Sequence, residues 1–245
     1  MTRRGFCVTV FPMIFQRIVE IRKNIQEICV RTRRDAQDIK IIAVTKYTDI
    51  RSAREAIEAG IEDIGENRVQ DAAEKFQALQ SQGLSFRRHM IGHLQTNKVK
   101  QAVELFDMIQ SVDSLKVARE IDKHAAKLKK IMDVLVQVNS SAEEQKSGVS
   151  PEDALRLLND ISVFEHIRVR GLMTIGPLTE DRAQIGKCFQ KMNGLFKEAK
   201  ECFKEHPRMC FDELSMGMTQ DYDLAVEHGA TMVRIGSAIF QRSKE

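Results

Sequence analysis

The chain has 245 residues, of which 42% are hydrophobic and 30% charged, with 38 Lys and Arg against 35 Asp and Glu for a formal net charge of +3. That balance gives no electrostatic case for nucleic acid or membrane partners, and the apolar fraction excludes a disordered chain. The length suits one α/β barrel of about 250 residues and is short for a barrel plus a second large domain, so a soluble globular protein is expected.

The first residues carry Arg3 and Arg4 before an apolar stretch from Gly5 to Phe15. This is the order of a signal peptide, but no small-x-small cleavage site follows, and the stretch is too short to span a bilayer. Residues 1–12 are expected to be an N-terminal extension, with either Met1 or Met13 as the natural start, and 13–245 to form the barrel domain. Ile14, Ile18, Ile21, Ile25 and Ile28 recur three or four apart, one apolar face of a helix over 14–32. Ile41 to Val44 is a short continuous apolar run, as in a strand buried on both faces. Arg51 to Ala59 reads as helix, ended by Gly60 at the position after the C-cap. A strand over 61–64 precedes a helix over 69–79, and a strand over 89–91 precedes a helix near 97–105.

The alternation continues with a strand over 106–110, then a helix over 114–129 with Ser114 as N-cap. Ile131 to Val138 is the clearest strand, followed by a helix over 151–161 with Pro151 in its first turn. A strand over 167–173 and a helix over 181–205 follow, then a strand over 211–214 and a helix over 221–228. The last pair is a strand over 232–235 and a short terminal helix. Eight strands, each followed by a helix, is the count that closes a (β/α)8 TIM-type barrel, here with an extra N-terminal helix. Periodicity does not show closure, so a doubly wound open sheet is the alternative. Four prolines and thirteen glycines leave no linker-like stretch that would divide the chain.

In such a barrel the working residues stand at the C-terminal ends of the strands. The first strand ends at Thr45-Lys46. A lysine beside the apolar run is expected to be partly desolvated, which favours the neutral, nucleophilic amine that a Schiff base requires. The plain alternative is a strand-end lysine reaching solvent. Strand seven runs into Ser215-Met216-Gly217-Met218-Thr219, and strand eight into Arg234-Ile235-Gly236-Ser237. Small and hydroxyl residues before a helix start offer backbone N–H groups to an anion, and these two loops are where barrels bind phosphate. Alternatively, Ser215, Thr219 and Ser237 are simply N-caps. A mouth lysine with a phosphate cradle points to a phosphorylated aldehyde: pyridoxal 5′-phosphate (PLP), or a sugar phosphate in a Schiff-base aldolase.

Three further loops face the same mouth: Gly65-Glu66-Asn67-Arg68, the stretch Gly92 to Lys98 including His93, and Asn139-Ser140 with Glu144, Lys146, Ser147 and Gly148. Asn67 could instead cap a helix, and His93 could bond a neighbouring loop. No H-x-x-x-H or carboxylate cluster argues for a metal. Cys7, Cys29, Cys188, Cys202 and Cys210 are odd in number and form no CxxC pair, so reduced thiols in a cytoplasmic protein are expected.

The runs AVTKYTDI (43–50), IGENRVQD (64–71), HMIGHLQTNKVK (89–100), GLMTIGP (171–177), LSMGMTQDYDLAVEHGAT (214–231) and VRIGSAIF (233–240) closely resemble the pyridoxal phosphate homeostasis protein family. The resemblance covers residues from about 14 to 240 in matching order. It implies a single-domain barrel related to the N-terminal barrel of alanine racemase, PLP fold type III. It implies that Lys46 carries PLP as a Schiff base. It implies that Ser215, Gly217, Thr219, Gly236 and Ser237 hold the phosphate, with Met216, Met218 and Ile235 in the same segments. Asn67 resembles the residue near the cofactor ring, and Arg234 the arginine facing the pyridine nitrogen. An arginine there stays protonated and discourages protonation of the ring nitrogen, which weakens the ring as an electron sink.

The resemblance further implies a PLP carrier without evident turnover that contributes to intracellular vitamin B6 and amino-acid homeostasis, with PLP-dependent apoenzymes as conceivable recipients. The alternative is a small PLP enzyme such as an amino-acid racemase. In racemases the opposing base is a tyrosine from a second domain, for which this length leaves no room, and Tyr47 and Tyr222 are not obvious substitutes. A loop-borne base such as His93 would be needed. A monomer is expected, because the domain that pairs racemase subunits is missing. Two departures from the family pattern touch loop geometry only: Arg33 and Gln241 stand where glycine is frequent.

Overall fold

The computed structural model describes residues 13–140 and 147–241. Residues 1–12, with the expected extension and Cys7, lie outside the described residues, as do Glu144 and Lys146. Helix α1 (Met13–Thr32) buries Ile14, Ile18, Ile21, Ile25 and Ile28, the face that its three-to-four spacing dictates. Eight strand–helix pairs follow: β1 (Lys40–Val44) with α2 (Ile50–Glu58), β2 (Asp63–Glu66) with α3 (Val69–Ser81), β3 (Arg87–Met90) with α4 (Val99–Leu105), and β4 (Met108–Val112) with α5 (Leu115–Lys127). Then come β5 (Met132–Gln137) with α6 (Pro151–Ser162), β6 (Ile167–Met173) with α7 (Arg182–Cys202), β7 (Met209–Ser215) with α8 (Tyr222–Glu227), and β8 (Met232–Ile235) with α9 (Ser237–Phe240).

All strands pair in parallel with their sequence neighbours, and β8 pairs back onto β1, with Ile42 opposite Arg234. The barrel is therefore closed, and the open sheet is excluded. Local chemistry places the helix starts. Asp49, Ser114, Ser150 and Asp181 each accept a first-turn N–H from their side chains. After α2, Gly60 takes the left-handed φ of +88° that a glycine adopts without strain.

The strand boundaries differ from expectation in β2 and β4, each of which starts and ends two residues later than the apolar runs predict. Ile61 and Phe106 are buried, but ahead of the strands. The strands continue instead through polar Glu66 and through Gln110 and Ser111, all buried. A closed barrel has an interior that hides polar side chains as well as apolar ones. Ile42, Met108, Leu135, Met173 and Met232, from five strands, form a small lumen cluster separate from the larger core under the helices.

Candidate functional site

The mouth is built from the segments that leave the C-terminal ends of the strands. Lys46 follows β1 in a turn closed by the Thr48 N–H on the Thr45 carbonyl at 2.9 Å. The side chain is exposed, contrary to the partial burial expected from its apolar neighbours, and its Nζ stands 5.3 Å from the centre of the Tyr47 ring. The backbone beneath it is anchored. Thr45 Oγ1 donates to Glu66 Oε1 over 2.6 Å, and Lys75 of α3 reaches both that carboxylate, at 2.5 Å, and the Thr45 carbonyl. Glu66 and Lys75 are both buried, so this ion pair fixes the segments that present Lys46 and Asn67. Asn67 is half-buried and is not a helix cap: the N-cap of α3 is Arg68. A Cβ on Gly92 would lie 2.3 Å from the Asn67 carbonyl oxygen, so the loop after β3 packs directly on Asn67.

The loops after β7 and β8 are joined. The Ala238 N–H of α9 donates to Thr219 Oγ1 at 3.3 Å, and the Arg234 N–H donates to the Gly217 carbonyl at 3.0 Å. Gly217 has φ +91°, and a Cβ there would come within 2.4 Å of the Ala225 Cβ, so the loop passes α8 only because it carries glycine. Ser215, Thr219 and Ser237 are not N-caps: those positions belong to Asp221 for α8 and Gly236 for α9. Gly236 and exposed Ser237 open the first turn of α9, where N–H groups precede any intrahelical partner. A Cβ on Gly236 would sit 3.4 Å from the Val44 carbonyl oxygen, which brings this cradle next to the strand that ends at Lys46. Met216 and Ile235 are buried in the apolar core, so only their backbones face the mouth, while Met218 and Thr219 are partly open.

Arg234 lies in the lumen, 4% exposed, its Nη1 donating to Ser215 Oγ at 2.8 Å and its Nη2 to the Thr174 carbonyl at 2.7 Å. Burial pushes the guanidinium down to about 10, against the pull of the Asp221 charge, and it stays cationic at neutral pH. Ser215 is fully buried, with its hydroxyl between Arg234 and Gln110, below the loops expected to hold phosphate. Asp221 accepts the Met218 N–H at 2.6 Å, and burial pushes its carboxyl up.

His93 is exposed, its Nδ1 3.4 Å from Asp113 Oδ2 in the loop after β4, which is the plain alternative for this residue. Tyr222 Oη accepts from Asn24 of α1 behind the barrel wall. Sequence reading placed Thr45 and Glu66 at the mouth but missed Lys75, which joins them under Lys46, and Asp63, His89 and Gln110 behind Ser215. The signal was present, since Asp63, His89 and Gln110 each fall within an expected strand, where a polar side chain is the anomaly.

The alanine racemase N-terminal domain family matches residues 18–244. A Haemophilus influenzae pyridoxal phosphate homeostasis protein is 40% identical over 220 residues, covering 90% of this chain and 92% of its own. The chain belongs to the pyridoxal phosphate homeostasis protein family. Two solved structures extend the likeness. PipY of Synechococcus elongatus PCC7942, solved with PLP bound, is 33% identical with a TM-score of 0.79, over 93% of this chain and 99% of its own. A Bifidobacterium adolescentis protein described as unknown is 32% identical with a TM-score of 0.88, over 97% of this chain and 98% of its own.

Proposed function

We propose that this member of the family binds PLP, held as a Schiff base on Lys46, and serves intracellular PLP and amino-acid homeostasis without turnover. PLP supplies an aldehyde and a conjugated ring whose nitrogen draws electrons when protonated. The observation that carries the reading is the convergence at one mouth of an exposed lysine and two tied loops, through the Thr219–Ala238 bond and the approach of Gly236 to Val44. In the cradle of Met216, Gly217, Met218, Thr219, Ile235, Gly236 and Ser237, the residues Gly217, Thr219, Gly236 and Ser237 would take the phosphate through backbone N–H groups and the two hydroxyls, while Met216 and Met218, whose N–H groups go to the Met232 carbonyl and to Asp221, shape the loop. Lys46 would hold the aldehyde through its Nζ. Asn67 would flank the ring. Arg234, cationic at neutral pH, would face the ring nitrogen and disfavour its protonation, while Ser215 supports Arg234 from below.

That arrangement supports holding better than turnover, since it provides a weak electron sink. His93 is engaged with Asp113, and Tyr222 lies behind the wall, so neither stands opposite Lys46 as a base. Among the described residues no helix is long and apolar enough to cross a membrane. Cys29, Cys202 and Cys210 are free thiols, which fits a cytoplasmic setting. A monomeric carrier that passes PLP to apoenzymes completes the reading.

Borohydride reduction followed by peptide mapping tests it. A reduced pyridoxyl group on Lys46 is expected, with the visible band absent in Lys46→Ala. Label confined to other lysines would refute the assignment. The holo-protein is expected to leave the α-proton of alanine unexchanged in deuterated water, and exchange with inversion would establish a racemase instead.

A further inference from the structure

The lumen contains a chain of hydrogen bonds in which every proton can be assigned. Arg234 donates to Ser215 Oγ, and Ser215 donates to Gln110 Oε1 over 2.7 Å. Gln110 Nε2 lies 3.1 Å from His89 Nδ1, and His89 Nε2 lies 2.7 Å from Asp63 Oδ1. A guanidinium only donates and a carboxylate only accepts, so the two ends fix the direction. The amide nitrogen of Gln110 donates, Nδ1 of the ring accepts, and Nε2 carries the hydrogen that Asp63 receives. Turning the Gln110 amide over would place its oxygen 3.6 Å from the Met232 sulfur, acceptor against acceptor. It would also require protons on both nitrogens of a histidine that is 1% exposed. All five residues are buried, and each comes from a different strand: β8, β7, β4, β3 and β2.

We propose that Gln110, His89 and Asp63 are positioning residues for the ligand site, acting through Ser215 to hold Arg234 in one orientation. The Ser215 hydrogen is committed to Gln110, so its lone pairs face Arg234 and nothing else can turn them. Thr174 holds the second guanidinium nitrogen, and two anchors on a planar fork leave it no rotation. The remote carboxylate has a further consequence. A carboxylate in direct contact would occupy the fork bidentately. Asp63 instead polarises the chain from the far end of the barrel and leaves the remaining guanidinium donors for a ligand acceptor.

The inference rests on the reading that this mouth binds PLP and extends it to residues that never touch the ligand. Two measurements on the full chain test it. Nitrogen NMR of the histidine-labelled wild-type protein is expected to show His89 as the neutral Nε2–H tautomer with a slowly exchanging ring proton. An Nδ1–H tautomer or an imidazolium at neutral pH overturns the relay. Titration with PLP is expected to show His89→Leu weakened by about tenfold or more, with an altered visible band. His89→Gln, whose amide oxygen accepts and whose nitrogen donates, is expected to recover most of that loss. Unchanged affinity in His89→Leu, or a His89→Gln as defective as His89→Leu, overturns the proposal while Lys46 labelling stands. If His89→Leu melts early, Gln110→Met takes its place, with the same loss expected and unchanged affinity overturning the proposal. Absence of label on wild-type Lys46 overturns the PLP reading and the ligand role of the relay with it.

Discussion

At the residue scale, Asp221 shows how the site stores cost. Its Oδ1 accepts the Met218 N–H, yet burial raises its carboxyl above the usual value, in part offset by that bond and by the Arg234 charge. Between the ordinary carboxyl value of about 4 and the raised native one, the folded state holds the proton more tightly than the unfolded chain. Stability therefore falls as pH rises through that window, and the cost persists at all higher pH. Asp221→Asn keeps an acceptor oxygen and loses the charge. It is expected to be more stable than wild type at pH 7, with the difference closing as pH falls to about 4. Urea midpoints across that range decide it, and equal midpoints at pH 7 would contradict it. Single residues were also unevenly legible. Arg33 stands where the family often has glycine, and the structure gives the reason, a left-handed φ of +54° that arginine adopts at some strain. Gln241, the other departure, has φ −63° and needs no glycine.

At the scale of elements, helices read more accurately than strands. A helix announces itself by a cap and a period: Ser150 and Pro151 open α6 where the residues say they should, and Asp181 opens α7. The caps differ in quality, and that difference is measurable. Asp181 Oδ1 accepts from Ala183 at 2.9 Å and Gln184 at 3.2 Å and adds a charge at the positive end of a 21-residue helix. Ser114 Oγ stands 3.5 Å from the Val117 N–H. Asp181→Ala is expected to cost about 1 kcal/mol or more, and Ser114→Ala less than half of that. Equal denaturation midpoints for the two variants would refute the ranking. Strands β2 and β4 were misplaced because an apolar run is only half the description of a barrel strand. The polar residues that interrupt such a run, Asp63 and Gln110 among them, are the ones that build the relay beneath Arg234. The placement of Lys46 and the two glycine loops at the mouth was legible because each directly follows its strand in sequence. The relay and the Glu66–Lys75 pair were not, because each joins residues from separate elements that only closure of the barrel brings together.

At the scale of the whole molecule, the two ends of the barrel do different work. The mouth gathers Lys46, the paired loops and Arg234. The opposite end is closed by ion pairs: Lys40 with Glu213, Arg168 with Asp133 at 2.6 Å, and Arg170 with Asp212 and Asp133. Glu213 is 3% exposed and also accepts from Thr231 Oγ1 at 3.1 Å, so its removal leaves the half-buried Lys40 ammonium and Thr231 hydroxyl without this acceptor. Breaking a pair with one buried and one half-buried partner in this way costs about 2 kcal/mol. Glu213→Ala is therefore expected to unfold at markedly lower denaturant than wild type while binding PLP with unchanged affinity and stoichiometry. Lys46→Ala should do the reverse, keeping the stability of the unliganded protein and losing covalent retention. Ligand linkage sharpens the contrast. A ligand that binds only the folded state, at a hundredfold excess over its Kd, adds about 2.7 kcal/mol. PLP at that excess should restore most of what Glu213→Ala loses and add less to Lys46→Ala at the same concentration. If Glu213→Ala instead weakens PLP binding in proportion to its loss of stability, the two ends are coupled and the division between a stabilising base and a binding mouth is wrong.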